Sequence, residues 1–508
     1  MMKKNNVFWG LAAMSLLTAM SLMSTGCNNA DGDDSYMDLR SQLNAAENMT
    51  PDMPVGDQFT NFDDNPFVRT ADQPVSTFSV DADGASYAIV RRYLTNEMTV
   101  NPSSVRIEEL LNYFTFNYPL PTDGENVAIN AEVGDCPWNA EHKLLRLGIK
   151  GKELSAAETP RANFVFLVDV SGSMSSEDKL YMLKAGLNKL LAQMNPDDRI
   201  SIVTYSGEVK KVLESTPVSE SEKIYSAINL LNAFGATSGG EALKMAYEEA
   251  LANYNPQCNN RIIMGTDGDF NVGVTNTDSL VSMVERYARQ GIYMTCLGFG
   301  LGNLNDAMME KISNAGNGTY HYIDNENEMT KVFVHERNKF VSVANDAKCQ
   351  VTFNSDIVTA YRLIGYENRI LNRQDFEDDE KDAGEIGAGQ TITALYELVV
   401  EDKPEGIGID EPFATFDFRY KKTLKSESTP LQLKMPTEKL FEKQARSSEF
   451  DFAAGVAAYG MILRQSPHKG HATIDMAKEL VERGLNFDPH GYRSELLRLM
   501  DAVPENEE

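Results

Sequence analysis

From residue 164 to 168 the chain is apolar without alternation, and the run stops at an acid, Asp169. An unbroken stretch of β-branched and aromatic side chains predicts a strand buried on both faces, the kind found inside parallel sheets. Similar runs return at 200–205, 261–267 and 292–299. Between them the period becomes helical. Residues 179–194 place Leu183, Leu187, Leu190 and Leu191 on one side, and helices are predicted over 219–231, 241–253, 280–290 and 305–315. A short strand at 320–323 and a helix over 328–340 close the series. Strands alternating with helices predict an α/β fold, a doubly wound, mostly parallel sheet covered on both faces.

The flanks read differently. Residues 77–118 predict a short strand and two helices, the second marked by the stripe Ile107, Leu110, Leu111 and Phe114. Two strands follow at 127–133 and 142–149, around the turn Cys136-Pro137-Trp138. Beyond residue 347, strands at 348–353, 358–364, 391–400 and 414–420 lack intervening helices and predict an antiparallel sheet that shares a sandwich with 127–150. The acidic, Gly-rich stretch 375–389 reads as a solvated loop, with a second cation or partner site as the alternative. Amphipathic helices are predicted at 450–463, 472–485 and 492–500. The organisation is then 1–27 leader, 28–72 acidic, Pro-rich tether, 73–160 N-terminal region, 161–340 central domain, 341–425 antiparallel β region and 426–503 helical region.

At 508 residues the chain exceeds a single core. Its net charge of -28, with no Lys/Arg cluster, argues against nucleic acid as a partner. Lys3 and Lys4 precede an apolar segment, 7–23, that is interrupted by Gly, Ser and Thr and makes a poor permanent span. It closes with Ser24-Thr25-Gly26-Cys27, which resembles a bacterial lipobox, although Ser24 stands where Leu is usual. The resemblance implies cleavage before Cys27, lipidation of Cys27 and an outer-membrane lipoprotein facing the periplasm or the cell surface; an ordinary secreted protein and, last, a membrane-spanning anchor are the alternatives. The acidic run after Cys27 is similar to surface-export signals of Bacteroidota lipoproteins and reads equally well as a solvated linker. Cys136, Cys258, Cys296 and Cys349 show no disulfide framework; Cys136 and Cys349 pair only if the flanking segments meet.

The chemistry concentrates at Asp169-Val170-Ser171-Gly172-Ser173. One carboxylate and two hydroxyls on a turn at a strand's carboxyl end suit a hard cation. Thr237, in a Gly-rich loop, and Asp267, which ends another apolar strand, would converge on the same edge of a parallel sheet. Other motifs carry less. Asp81 and Asp83 lack the rest of a calcium loop and read as linker or cap residues; His335-Glu336 has no second His for a zinc protease motif; 298–302 lacks the complete dinucleotide fingerprint and reads as a strand-end turn.

These residues resemble the von Willebrand factor type A domain and its metal-ion-dependent adhesion site, with Asp169, Ser171, Ser173, Thr237 and Asp267 on the five motif positions. The resemblance implies Mg²⁺, with Mn²⁺ or Ca²⁺ as substitutes, and a protein partner whose carboxylate completes the metal shell. Residues 78–87, 106–114, 266–273 and 362–369 through 394–397 are similar to a bacterial family of the YfbK type. The expected function is metal-dependent protein or acidic-ligand binding at the envelope, without catalysis. Two alternatives stand beside it: a structural organiser that needs no metal, and Mg²⁺-assisted phosphoryl transfer, for which Asp169-Val170-Ser171 lacks a second carboxylate.

Overall fold

The computed structural model describes residues 56–235, 239–268, 277–401, 411–442 and 445–503. The leader, Cys27, most of the tether and Thr237 lie outside the described residues. In chain order the strands begin with β1 (Val68–Arg69), β2 (Val75–Ser79), β3 (Val127–Asp135) and β4 (His142–Gly151). Next come β5 (Arg161–Asp169), β6 (Arg199–Tyr205), β7 (Val209–Pro217), β8 (Cys258–Thr266), β9 (Ile292–Phe299) and β10 (Tyr320–Ile323). The last are β11 (Ser342–Phe353), β12 (Val358–Ile364), β13 (Gly384–Gly387), β14 (Thr391–Val400), β15 (Pro412–Lys421) and β16 (Ser428–Pro436).

The central sheet has the order β10-β9-β8-β5-β6-β7. Every neighbouring pair is parallel except β6 with β7. Alternate residues of β5 enter opposite cores, as the two-residue period of a strand requires. Val165 and Leu167 pack with Ala242, Leu243, Val284 and Ile312 on one face. Phe164, Phe166 and Val168 pack with Leu183, Leu187, Ile224 and Ile228 on the other. The doubly wound α/β arrangement is therefore present. Strand β7 adds an edge that the apolar pattern does not announce, because Lys210, Lys211 and Glu214 face solvent and only Leu213 and Thr216 are buried. Such charges are what keeps an edge strand from pairing with another chain.

Two antiparallel sheets flank this domain, in the orders β1-β12-β14-β4-β3 and β13-β11-β15-β16, with β2 also paired to β11. Their inner faces share one core, in which Leu145, Leu147 and Tyr396 of the first meet Cys349, Val351 and Phe416 of the second. The predicted sandwich is thus built from both ends of the chain. Part of the stretch read as a solvated loop, 375–389, is instead β13, hydrogen-bonded to β11. Gly387 lets the turn that precedes β11 come close, since a Cβ there would lie 2.2 Å from the Lys339 carbonyl oxygen. Strand β16 carries the sheet past residue 425, with alternating exposed and half-buried positions. Cys136 and Cys349 do not pair; they occupy different cores, and the described cysteines are all free thiols.

Two predicted helices differ in form. The 328–340 segment divides into the helix Glu326–Thr330, a wide turn Lys331–His335 and a tight turn Arg337–Phe340. The wide turn lets Lys331 reach Glu336, five residues on, at 2.7 Å. The helix Ser448–Leu463 is buried on nearly all sides rather than amphipathic. Ala and Gly around its circumference let neighbours come close: Gly455 faces the Ala477 carbonyl and Val481, and Gly460 faces Ile107 and Leu110. Substituting Gly455→Leu drives a side chain into the adjoining helix Ile474–Arg483. Urea unfolding should show a lower midpoint, equivalent to a loss of about 1–3 kcal/mol as for other overpacked sites, at unchanged slope.

Candidate metal centre

Strands β5 and β8 are parallel neighbours, with Val168 opposite Gly265, so their carboxyl ends and the loops that follow meet at one edge. Asp169 is buried at the end of β5. Its Oδ1 accepts from the Ser171 backbone N–H at 2.8 Å, and its Oδ2 accepts from the Thr266 hydroxyl at 3.0 Å. These bonds fix the carboxylate and curl the chain, which brings the Ser171 and Ser173 hydroxyls to 2.9 Å of each other. Ser171 is buried and Ser173 is exposed, so the cluster opens to solvent through Ser173.

The loop leading toward Thr237 is stitched to the same turn. Phe234 N–H donates to the Val170 carbonyl at 2.6 Å, and Gly172 N–H donates to the Gly235 carbonyl at 2.9 Å. Asp267 directly follows β8 and is buried. Its carboxylate takes a hydrogen bond from Ser173, and its Oδ2 accepts from Asn303 Nδ2 at 3.0 Å and from the Lys179 ammonium at 2.9 Å. Gly268 makes the turn out of β8 with φ +86°, where a Cβ would come within 2.4 Å of the Asn305 nitrogen. The structure thus gathers Asp169, Ser171, Ser173 and Asp267. Lys179 and Asn303 join them without a motif to announce them, since each arrives by a fold in the backbone far from its neighbour in sequence.

Burial pushes the Asp169 carboxyl up to about 6, helped by the charge of Asp267 and opposed by the Ser171 hydrogen bonds. Burial acts on Asp267 in the same sense, yet the ammonium of Lys179 and the hydrogen bonds from Asn303 and Ser173 hold it below the ordinary carboxylate range. The two acids therefore differ: one is restrained from ionising and the other is already compensated. Carboxylate and hydroxyl oxygens make a donor set that fits a hard divalent cation.

A second acidic cluster is wholly buried. Asp81, Asp83 and Glu109 each offer an oxygen within 4.8 Å of the others, a donor set with the chemistry to chelate a cation. Their local bonds are those of caps and turns: Asp83 N–H donates to Asp81, Tyr320 N–H to Asp83, and Ser86 N–H, at the start of the helix Ala85–Thr95, to Glu109. Arg369 contacts Asp81 at 3.0 Å, and Arg106 pairs with Glu109. Burial raises Glu109 to about 7 against the pull of Arg106 and raises Asp83 well above its ordinary value. Glu109 belongs to the helix Ile107–Asn112, whose apolar stripe is legible in sequence while its inward-facing acid is not.

A mostly parallel, doubly wound sheet with an Asp-x-Ser-x-Ser turn at the carboxyl end of a central strand defines a von Willebrand factor type A domain. Residues 163–335 match the von Willebrand factor type A domain family, and residues 53–146 match a family described as von Willebrand factor. Residues 338–505 match the family described as uncharacterized protein YfbK, C-terminal. The chain is 37% identical over 471 residues to the uncharacterized protein YfbK of Escherichia coli strain K12, covering 88% of this chain and 81% of that protein. It belongs to the YfbK family. Mouse inter alpha-trypsin inhibitor heavy chain 4 is 31% identical over 209 residues, which cover 38% of this chain and 21% of that protein. Among solved structures, a von Willebrand factor type A protein from Catenulispora acidiphila superposes with a TM-score of 0.42 at 14% identity, covering 76% of this chain and 92% of that one.

The buried carboxylate of Asp169 sets a sign for pH dependence. Its folded-state value of about 6 lies above the ordinary 3.8, so the folded chain binds the proton more tightly and loses stability as pH rises through that window. In chelator, Asp169→Asn should therefore match the wild type near about pH 4 and be more stable, by about 3 kcal/mol at most, near about pH 7.5. Thermal unfolding at both pH values checks this; equal stability at the higher pH contradicts it.

Proposed function

We propose that the chain is a lipid-anchored binding protein of the cell envelope. In this reading Asp169, Ser171, Ser173, Thr237 and Asp267 hold Mg²⁺, directly or through water, and a protein partner's carboxylate completes the shell. The observation that carries it is the pair of buried acids beneath the exposed Ser173 hydroxyl, at the edge where β5 and β8 end. A bound cation would supply local positive charge on a chain of net charge -28, and so offer an acidic ligand a place to dock. Phe234 stands 82% exposed beside the turn it is hydrogen-bonded to, an apolar contact next to the charged one. Among the described residues the contacts of these acids are ones that hold them in place: Asp169 accepts from the Ser171 N–H and the Thr266 hydroxyl, and Asp267 accepts from Lys179 and Asn303.

The second reading, a structural organiser independent of metal, draws support from the Lys179–Asp267 ion pair, which already neutralises one acid. Lipid anchorage rests on the lipobox resemblance around Cys27; among the described residues no helix is long and apolar enough to cross a membrane.

Calorimetry with Mg²⁺ and Mn²⁺ on the purified chain should show one site at the Asp169 turn, lost in folded Ser171→Ala. Capture of an envelope partner should be lost in chelator and in Asp169→Ala; undiminished capture by both gives the organiser reading its support. Separately, Cys27→Ser should abolish incorporation of labelled palmitate and release the chain from the membrane fraction. Retained labelling would remove Cys27 as the anchor.

A further inference from the structure

Lys179 stands where the proposed metal's charge is needed. Its side chain is 10% exposed, and its ammonium lies 2.9 Å from Asp267 Oδ2 and 3.2 Å from Asn303 Oδ1. The route is built for it. Within the turn Glu177–Tyr181 the backbone leaves the helical region at Lys179, with φ -119° and ψ -106°, which directs the side chain back toward the end of β8. Its stem runs across Gly300, where φ is +73° and an added Cβ would sit 2.2 Å from the Lys179 Cε. The segment is gripped from its other side as well, because Asp178 is ion-paired at 2.5 Å with Arg92 of the helix Ala85–Thr95, outside the type A domain.

We propose that Lys179 is a tethered cation that occupies the Asp267 arm of the site while metal is absent, and that a divalent cation must expel it to load. The inference rests on the metal-binding reading above. Asp267 Oδ2 accepts from both Lys179 and Asn303, which engages the two lone pairs of that oxygen. An ammonium and a divalent ion on one buried carboxylate repel each other strongly where water is excluded. The metal therefore competes with an internal ligand whose effective concentration is fixed by the fold, so Lys179 sets the affinity threshold of the site. Expulsion also moves the residue next to Asp178, and so loads the pair with Arg92. Metal occupancy is in this way communicated to the N-terminal helix.

The test compares the full-length chain with Lys179→Met, which keeps the length of the stem and removes the charge, and uses Mn²⁺ as probe. Calorimetry should show binding tighter by roughly tenfold or more in the variant. Its melting temperature should be lower than wild type in chelator and rise more on adding Mn²⁺. Binding by the variant alone supports the proposal equally. Equal or weaker binding by a folded variant overturns the proposal and leaves the metal site standing, whereas no binding by either chain overturns both. Should the variant not fold, acetylation of wild-type lysines read by mass spectrometry decides. Labelling of Lys179, relative to exposed Lys244, should increase when Mn²⁺ is added, and unchanged or reduced labelling overturns the proposal.

Discussion

Arg91, on the helix Ala85–Thr95, is nearly sealed from water and meets acids from two other parts of the chain. Its guanidinium contacts Asp324 at the end of β10, Glu328 at 2.6 Å and Glu495 of the terminal helix Tyr492–Met500 at 2.7 Å, and donates to the Tyr113 hydroxyl at 3.0 Å. A buried charge is tolerated only while its partners stay in place, and removing one such partner typically costs about 3–5 kcal/mol. The type A domain, the N-terminal region and the C-terminal helices are therefore held in one register by a group that has no acceptable alternative placement. Arg106, paired with Glu109 and Asp306, repeats the device between the N-terminal region and the type A domain, and Arg369, contacting Asp81 and the Asn314 side chain, ties the antiparallel β region to both.

This interlock explains the shape of the polar interior. The cluster of Asp81, Asp83 and Glu109 has a donor set that would suit a cation, but arginines already stand among its carboxylates, and its oxygens also serve backbone N–H groups. The cluster at Asp169 is differently placed. It lies at an open sheet edge, carries hydroxyls, reaches solvent through Ser173, and has the Lys179 ammonium on Asp267. Burial raises the carboxyl of Asp169, while Lys179 and its hydrogen bonds hold that of Asp267 below the ordinary range, so the two neighbouring acids differ in how readily they ionise.

The neighbouring pair Arg91 and Arg92 joins these two themes. Arg91 belongs to the interlock, while Arg92 reaches Asp178, in the segment that runs from the serine turn into the helix Met182–Leu191. One turn of the N-terminal helix is thus attached both to the frame of the molecule and to the rim of the site. The flanking regions are part of the site's surroundings, not passive attachments to a free-standing type A domain.

The sequence by itself determined the type A architecture, because buried parallel strands such as β5 and β8 must be continuously apolar and their helices must show a stripe. It also marked Asp169, Ser171, Ser173 and Asp267, since short polar groups directly after such strands have a common edge to meet at. It did not reveal β7, β13 or β16, whose polar or Gly-rich residues become strands through pairing with a neighbour, nor the all-round burial of Ser448–Leu463, which depends on what packs against its glycines. Lys179 on Asp267 and Arg91 on Glu495 were likewise decided by tertiary structure alone. A local pattern records whether a side chain prefers water or the core; which charge a buried charge will meet depends on segments that only folding brings together.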